Sequence, residues 1–337
     1  MAVGITATYN TNTSASTRED VSNIISNIDP TETPISANIG REDVDNPDLH
    51  QWQVDSLAAT STAGQIDGVA QSALPDAVST ARAKRAARCQ IQGKGISITR
   101  RQQKLDKYGI DDEVAYQLAK AGAELKRDQE ATICLPRTPV ASASGTAPLL
   151  AGIPTWIRTN TSNGSGGAAP TLTGTPAQPV VGTDGTVRAL SEATLMTMIK
   201  QSYDEGGKID MASVATAVKQ AMSAFLFGSS SRIATPYQDF GSKPGMGATV
   251  QGAVDVIITD FGPLYIVPNR FQRGRDVLLL DTAQWSIGIF DDYFVEETAK
   301  VGDYENHMVL HDYTVISHAE EASAWIADID TTAAMTS

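Results

Sequence analysis

The chain has 337 residues, 41% of them apolar and 19% charged, a composition that excludes general disorder and leaves room for two cores. A formal net charge of −13 argues against a dedicated nucleic-acid-binding protein, because neutralising phosphates needs a basic face. Residues 1–17 are polar and have no apolar run, so we expect neither a signal peptide nor a membrane anchor there.

Charge is unevenly distributed along the chain. Nine of the 26 Lys and Arg residues fall between Arg82 and Lys107, where Asp106 is the only acid. Residues 291–337 show the reverse, with eleven Asp or Glu and one basic residue, Lys300. A single globule usually scatters its charges. The segregation therefore predicts that the basic segment of one copy meets an acidic surface of another, as in self-assembly.

The N-terminal part predicts a short helix followed by a turn. Ser16 or Thr17, with Glu19 or Asp20 three residues later, is a capping-box pattern. Apolar residues follow at helical spacing until the prolines at 30 and 34, namely Val21, Ile24, Ile25 and Ile28. So small a helix buries little surface alone, which is typical of an arm. The acidic stretch 40–47 is turn-like.

The next segment predicts a projecting ribbon. From His50, Trp52 and Val54 alternate with polar residues, as in a strand. A polar span, 58–80, precedes a second strand-like run that begins near Arg88. In this run the apolar residues change from odd-numbered to even-numbered positions at residues 93–95, which predicts a bulge or bend there. The simplest assembly is a long two-stranded projection with a flexible tip. A ribbon of this kind has no core of its own.

A long helix and a Gly-rich loop follow. Acidic residues load the first turn of the segment Asp111 to Leu135, an apolar stripe runs along it, and Pro136 ends it. Residues 159–186 are mostly Gly, Ser, Thr, Ala and Pro with one charge, Asp184, which predicts a loop or a variable insertion.

The region after residue 190 has the apolar content of a compact mixed domain. One helix is predicted to open at Ser191-Glu192 and close at Gly206-Gly207, and a second to run through Val214, Val218, Met222 and Phe225. The predicted strands are Val254 to Ile258, Leu264 to Val267, Val277 to Leu280, Trp285 to Phe290 and Asn306 to Ile316. Phe261-Gly262-Pro263 predicts a hairpin turn, and a short segment lies around Trp325 and Ile329.

No residue pattern predicts catalysis, a metal site or a cofactor. His307 and His311 are four residues apart but lack the His-Glu-x-x-His motif, and Gly93-Lys94-Gly95 lacks the spacing of a phosphate loop. Cys89 and Cys134 have neither metal nor redox spacing, which favours two reduced thiols, with a disulfide between them as the alternative.

Six stretches, in order over nearly the whole chain, resemble the major capsid proteins of tailed bacteriophages, which have the HK97-like shell fold. The stretches are VSNIISNIDPTETP (Val21–Pro34), QWQVDSL (Gln51–Leu57), DEVAYQLAKAGAELKRDQEA (Asp112–Ala131), AGIPTWIRTN (Ala151–Asn160), DFGPLYIVPNRFQRGRDVLLLD (Asp260–Asp281) and HDYTVISHAEEASAWI (His311–Ile326). The span 159–186 fits the family pattern least.

The resemblance implies an α+β, HK97-like capsid fold and a division of the chain into five parts. These are an N-terminal arm (1–44), an extended β-hairpin loop (45–103), a first peripheral part with the spine helix (104–150), an axial domain (151–290, with 159–186 a flexible insertion) and a second peripheral part (291–337). Subunits of such shells form hexamers and pentamers, and the loop lies across a neighbour's peripheral domain.

Two sets of residues are predicted to meet between subunits. The extended-loop set is Trp52, Arg82, Lys84, Arg85, Arg88 and Lys94. The acidic set is Asp291, Asp292, Glu296, Glu297, Asp303 and Glu305. Reversing Arg85 and Arg88 to Glu is expected to impair assembly and spare folding. The basic segment could instead be a solvated face or a local nucleic-acid contact.

The implied function is a phage head protein that encloses double-stranded DNA, located in the virion and assembled in the host cytoplasm. Its expected partners are itself, portal and scaffolding proteins, a decoration protein and the packaged DNA through non-specific contact, with no membrane and no cofactor. Some shells of this fold join subunits through a Lys–Asn isopeptide bond; no motif assigns that chemistry here, so non-covalent assembly is expected. The alternatives are an encapsulin-like nanocompartment shell, a hydrolase with a Gly-rich lid and a nucleic-acid-binding module.

Overall fold

The computed structural model describes residues 31–57, 60–70, 74, 82–107, 109–220, 222 and 256–330. The helices are α1 (Pro34–Asn38), α2 (Arg100–Lys104), α3 (Glu113–Ile133), α4 (Ile153–Trp156) and α5 (Glu192–Asp204). The first seven strands are β1 (Gly40–Asp43), β2 (His50–Val54), β3 (Ala83–Ala87), β4 (Gln90–Thr99), β5 (Thr161–Ser162), β6 (Thr171–Thr173) and β7 (Gln178–Val180). The later strands are β8 (Met211–Val214), β9 (Val256–Thr259), β10 (Gly262–Pro268), β11 (Val277–Leu280), β12 (Trp285–Thr298), β13 (Tyr304–Ser317) and β14 (Ala324–Ile326). No helix among the described residues is long and apolar enough to cross a membrane.

A six-stranded sheet forms the interior of the larger core, in the order β5-β14-β11-β8-β10-β9. All four residues of β11 are apolar and fully buried, because both faces of the sheet are covered. Val277 and Leu279 pack in one apolar cluster with α5, and Leu278 and Leu280 pack in another with Trp156. Because successive side chains of β11 point to opposite faces of the sheet, this strand contributes to both apolar clusters.

A four-stranded sheet, in the order β1-β12-β13-β4, carries the peripheral part of the molecule. The 14-residue strands β12 and β13 pair antiparallel, with register irregularities in β12 between Ile289 and Phe294. The strand β1 runs parallel to β12 but pairs only with Ser286–Ile289. Beyond that point the outer edge of β12 has no partner among the described strands.

The helix α3 lies on this sheet and is 21 residues long, which corresponds to about 31 Å. Asp112 caps it, since its carboxylate accepts hydrogen bonds from the backbone N–H groups of Val114 (2.9 Å) and Ala115 (3.2 Å). Ala121 and Leu125 are buried against Val309 of β13. The predicted spine helix is therefore present, with its start and end within two residues of the prediction.

Most other predicted elements are confirmed. The Ser191-capped helix α5, the strands β2, β9, β10, β11 and β13 and the short strand β14 all occur, as does the β9–β10 hairpin, whose turn lies at Asp260 and Phe261 rather than at 261–263. Cys89 and Cys134 are both free thiols. The predicted N-terminal helix and Phe225 lie outside the described residues.

Several predictions were wrong in detail. The second run near Arg88 does not pair with β2: its strand β4 pairs with β13 over ten residues in unbroken register, so there is no bend at residues 93–95. The partner of β2 is β3, an Ala-rich strand. Val214 ends strand β8 rather than starting a helix, although residues 216–220 are helical. The turn-like stretch 40–47 begins with strand β1, and β12 extends eight residues past Phe290.

Candidate assembly surfaces

The base of the extended loop, defined here as β2 and β3, is fixed to the body of its own subunit. Trp52 is half-buried: its indole N–H donates to the carbonyl oxygen of Ser317 at 3.0 Å, and its ring lies 5.3 Å from that of Trp156. The ring of His50 lies 5.8 Å away on the same strand. Trp52 therefore holds the loop base against two parts of the body, the end of β13 at Ser317 and the helix α4 at Trp156.

Arg85, which pairs with Trp52 across the two strands, is also used within the subunit. Its side chain is only 8% exposed, and its guanidinium lies 3.6 Å from the carboxylate of Glu321. Burial lowers the pKa of Arg85, partly offset by the nearby Glu321 carboxylate. Because the buried cation is matched by an acid of the same chain, it contributes first to folding.

Two other predicted cations make intramolecular contacts as well. Arg88 contacts Asp48 (2.9 Å) and donates to the side chain of Gln178 (3.0 Å). Lys94, on β4, lies 2.8 Å from Asp128 of the spine helix, whose hydrogen bond raises the pKa of that lysine. These residues brace the loop and the sheet against the rest of the subunit, and their inter-subunit role stays a prediction.

The outer part of the loop, residues 55–57, 60–70, 74 and 82, lacks such anchoring. Arg82 makes an exposed pair with Asp55 at 3.2 Å, which contributes at most about 1 kcal/mol. Lys84, at its border, is exposed and has no described acid within ion-pair distance. Leu57 is 98% exposed and Ile66 83% exposed. Two large apolar side chains are thus left in solvent on an extended segment.

The predicted acidic surface divides into two groups. Asp303 pairs with Arg100 at 2.6 Å and Glu305 with Lys300 at 2.7 Å, so both are neutralised locally. The other four acids are exposed, lie along the second half of β12 and make no ion pair with any described cation; they are Asp291, Asp292, Glu296 and Glu297. This group, called here the acidic edge, lies along the part of β12 that pairs with β13 on one side and has no described neighbouring strand on the other.

The structure does not bring the two predicted sets together within one subunit. Arg100 is the single member of the basic segment seen to pair with the predicted acidic set, and it was not among the predicted loop residues. Lys84 and Arg82, whose pair with Asp55 is exposed, lie on one side, and the acidic edge lies on the other. Both are available for contacts with another copy.

Sequence reasoning missed a buried junction centred on Glu130 of α3. Its carboxylate is fully buried and accepts hydrogen bonds from the backbone N–H groups of Ile35 and Ser36, both at 2.9 Å. It also accepts from the side-chain amide of Asn269 at 2.7 Å. Glu130 therefore joins the start of α1, the spine helix and the loop after β10. An acid near the apolar C-terminal end of α3 was the only sequence signal.

Two further buried carboxylates hold the Gly-rich segment 159–186. Glu320 accepts from the backbone N–H and hydroxyl of Thr159, at 3.2 and 2.8 Å. Asp328 accepts from the N–H groups of Gly164 and Gly185, both at 2.9 Å, and from Arg275. Burial raises the pKa of Asp328, but these donors outweigh it and keep the pKa below its usual value.

The peripheral sheet contains an aromatic stack instead of a metal site. The His311 ring lies 4.0 Å from that of Tyr293 and 4.7 Å from that of Tyr313. Its Nε2 is buried without a hydrogen-bond partner among the described residues, and burial lowers its pKa to about 4. Within the described ranges, no group of three or more His, Cys, Asp or Glu residues could hold a metal ion.

The fold is that of known shell proteins. The capsid of cyanophage A-1(L) matches with a TM-score of 0.61 and 10% identity over 95% of this chain and 98% of that one. A chain from Mycobacterium phage Cain matches with a TM-score of 0.56 and 11% identity, over 97% of this chain and 100% of that one. The SrpI encapsulin of Synechococcus elongatus gives 0.52 and 10%, over 93% and 95%. These similarities show an HK97-like fold and confirm the predicted fold class.

The sequence identifies the particular family. The profile of the SU10 major capsid protein family matches residues 4–330, and the chain belongs to that family. No curated protein matches it at the sequence level. The protein is thus a phage major capsid protein, a structural component that self-assembles into the capsid shell of the virion.

Proposed function

We propose that this capsid protein forms the hexamers and pentamers of an icosahedral phage head that encloses double-stranded DNA. The observation that carries the proposal is the contrast within the extended loop. Its base is locked to its own subunit through Trp52, whereas Leu57 and Ile66 farther out are almost fully exposed. Large apolar side chains on a segment without a core gain stability when a neighbouring subunit covers them.

Charge supports the choice of a second copy as that neighbour. The acidic edge of β12 has four exposed carboxylates without a described cation partner, and the loop border offers Arg82 and Lys84. Exposed ion pairs contribute little individually but fix register when repeated around a closed shell. We infer that these two cations meet the acidic edge, while Trp52, Arg85 and Arg88 set the direction in which the loop leaves its subunit.

The remaining partners follow from the proposed head. Portal and scaffolding proteins, a decoration protein and non-specific contacts with DNA belong to it, with assembly in the host cytoplasm. The segment 159–186, fixed by Glu320 and Asp328, is the candidate platform for a decoration protein. We propose no catalytic activity and no cofactor for this chain.

The proposal is tested by electron microscopy of the purified full-length protein, with a charge-swap series. Wild-type protein is expected to give uniform icosahedral particles, and discrete monomers would contradict the function. The double variant Asp291→Lys/Asp292→Lys is expected to reduce particle yield at least tenfold, since it repels Arg82 and Lys84. Adding Arg82→Glu and Lys84→Glu should restore yield. Asp204→Lys, at an exposed acid of α5, is the control. Normal yield from the first double variant would refute the proposed contact.

A nanocompartment shell is the second candidate, because the SrpI encapsulin shares the fold over most of both chains. The two functions differ in cargo. Particles that protect double-stranded DNA from nuclease after phage infection support the phage head, whereas particles that retain a co-purifying protein and no DNA support a nanocompartment.

A further inference from the structure

A groove of about 170 Å³ lies on the spine helix at the point where the described chain begins. Tyr116, Ala119 and Ala123 line it together with Arg127, and Thr31 closes one side. Ala119 is exposed and Ala123 half-buried, so two short side chains leave the surface of the helix open. Short side chains of this kind allow a second helix to approach closely.

The groove occupies the face of α3 that the sheet does not cover. Ala121 and Leu125 face Val309 of the sheet. At 100° per residue, Ala119 and Ala123 lie on roughly the opposite side of the helix from that buried stripe. The same face of α3 continues to Glu130, one turn beyond Arg127. There the Glu130 carboxylate accepts hydrogen bonds from the backbone of α1.

The path of the chain places the preceding residues at this groove. Thr31 lines it, and Glu130 fixes Ile35 and Ser36 a few residues later. Only two residues separate Ile28 from Thr31, so Ile28 lies within about 10 Å of Thr31 even when the chain is fully extended. Ile28 is the last member of the apolar stripe predicted for the N-terminal helix.

We propose that residues 17–29 dock as a helix into the groove of their own subunit, with the apolar stripe facing Ala119 and Ala123. A helix this short is only marginally stable in isolation. It becomes stable when its four apolar residues pack against a surface. These thirteen residues span about 18 Å from the first Cα to the last as a helix, close to the roughly 16 Å from Tyr116 to Arg127.

Charge fits the direction imposed by the tether. With Ile28 near Arg127, the segment runs parallel to α3, which brings Glu19 and Asp20 toward Lys120 and Asp29 toward Arg127. Glu124, which lies 4.0 Å from Lys120, also lines the groove, so the tether and not the charge pairs sets the direction. The tether also gives the segment a high effective concentration at its own groove relative to that of another copy. The proposal concerns the free subunit and does not depend on the proposed shell.

Disulfide trapping in unassembled full-length protein tests the proposal. In the double variant Ile24→Cys/Ala123→Cys, mild oxidation is expected to give an intramolecular disulfide at least ten times faster than in Ile24→Cys/Ala115→Cys, where Ala115 is exposed outside the groove. Native Cys89 and Cys134 interfere little, because both are buried and burial raises their pKa. A disulfide-linked dimer as the main product would assign the groove to a second copy and overturn the proposal, and equal rates would overturn docking altogether.

Amide hydrogen exchange gives a second measurement that does not require new disulfides. Residues 17–29 are expected to exchange at least tenfold more slowly than residues 1–12 in the free subunit, and Ala123→Arg should abolish the difference. The matched variant Ala115→Arg should leave it intact. Exchange of 17–29 at the rate of 1–12 in the wild-type protein would contradict the proposal.

Discussion

The base and the outer part of the extended loop differ in almost every physical respect, although they form one continuous segment. At the base, an indole and a guanidinium are buried against partners more than a hundred residues away, Trp156 and Glu321. In the outer part, Leu57 and Ile66 face solvent. A subunit therefore determines where its loop begins and in which direction it leaves, whereas the proposed contacts with a neighbouring subunit would determine where the far end lies.

The largest effect is expected from reversing the buried cation of the base. Arg85→Glu would place a carboxylate beside Glu320 and Glu321 and lower the free energy of unfolding by about 3–5 kcal/mol. Urea denaturation of unassembled subunits measures it. Arg82→Glu, at an exposed pair, is the control and should change stability by less than about 1 kcal/mol. Equal effects would contradict the distinction between base and outer part. The burial of Arg85 beside Glu321 replaces the sequence-based expectation that reversing Arg85 and Arg88 spares folding.

Removing the aromatic anchor should come next. Trp52→Ala loses the packing against Trp156 and the hydrogen bond to the carbonyl oxygen of Ser317, and is expected to destabilise the subunit by about 3 kcal/mol. Trp52→Phe keeps a ring and loses the donor, so about 1 kcal/mol is expected. Trypsin cleavage after Arg82, the one basic residue in 55–82, should accelerate only in the alanine variant; unchanged cleavage there would mean that Trp52 does not hold the loop.

Lowering the pH should destabilise the four-stranded peripheral sheet, which supports the base of the extended loop. Because burial lowers the pKa of His311 from about 6.5 to about 4, the unfolded chain binds the extra proton first, and stability falls as the pH drops through this window. The groups facing it are Tyr293, Tyr313, Asp291, Asp292 and Arg41. The loss attributable to His311 is expected to be about 2 kcal/mol between pH 7 and pH 5. His311→Phe should remove that part of the slope in urea midpoints measured across the range, and an unchanged slope would rule out His311 as its source.

The smallest effect on folding is expected in the outer part. Leu57→Ser/Ile66→Ser should change the free energy of unfolding by less than about 0.5 kcal/mol, because both side chains are already exposed. Particle yield by electron microscopy should nevertheless fall at least tenfold if a neighbour buries them. Val187→Ser, at an exposed residue outside the loop, is the control. A double variant that assembles normally would leave the outer loop without a role in the shell.

The sequence predicts those elements whose signals are local. The spine helix has an acidic first turn, an apolar stripe and a terminating proline, and α5 has a serine cap and a glycine end, so both were found. The strand β3 reads Ala-Lys-Arg-Ala-Ala, which has no strand periodicity. It becomes a strand because Trp52 across from it is held by Trp156, a contact that no local pattern encodes.

The errors at the candidate surfaces have the same origin. The parity change around residues 93–95 suggested a bend, but β4 stays regular because β13 pairs with all of it, and this leaves Ile91 exposed. Counting charges located the basic and acidic regions correctly. It could not tell that Arg85 and Lys94 are matched inside the subunit, since Glu321 and Asp128 approach them only in the folded chain.

The carboxylates that fix the Gly-rich segment impose an order on biosynthesis. Residues 159–186 leave the ribosome well before Glu320 and Asp328, whose oxygens accept the hydrogen bonds of Thr159, Gly164 and Gly185. At about 5–20 residues per second, that interval lasts roughly seven to thirty seconds. During translation the segment therefore lacks the carboxylates that fix its conformation. A nascent chain that ends before Glu320 and Asp328 would lack these hydrogen bonds, so its segment 159–186 would present no fixed surface to a partner.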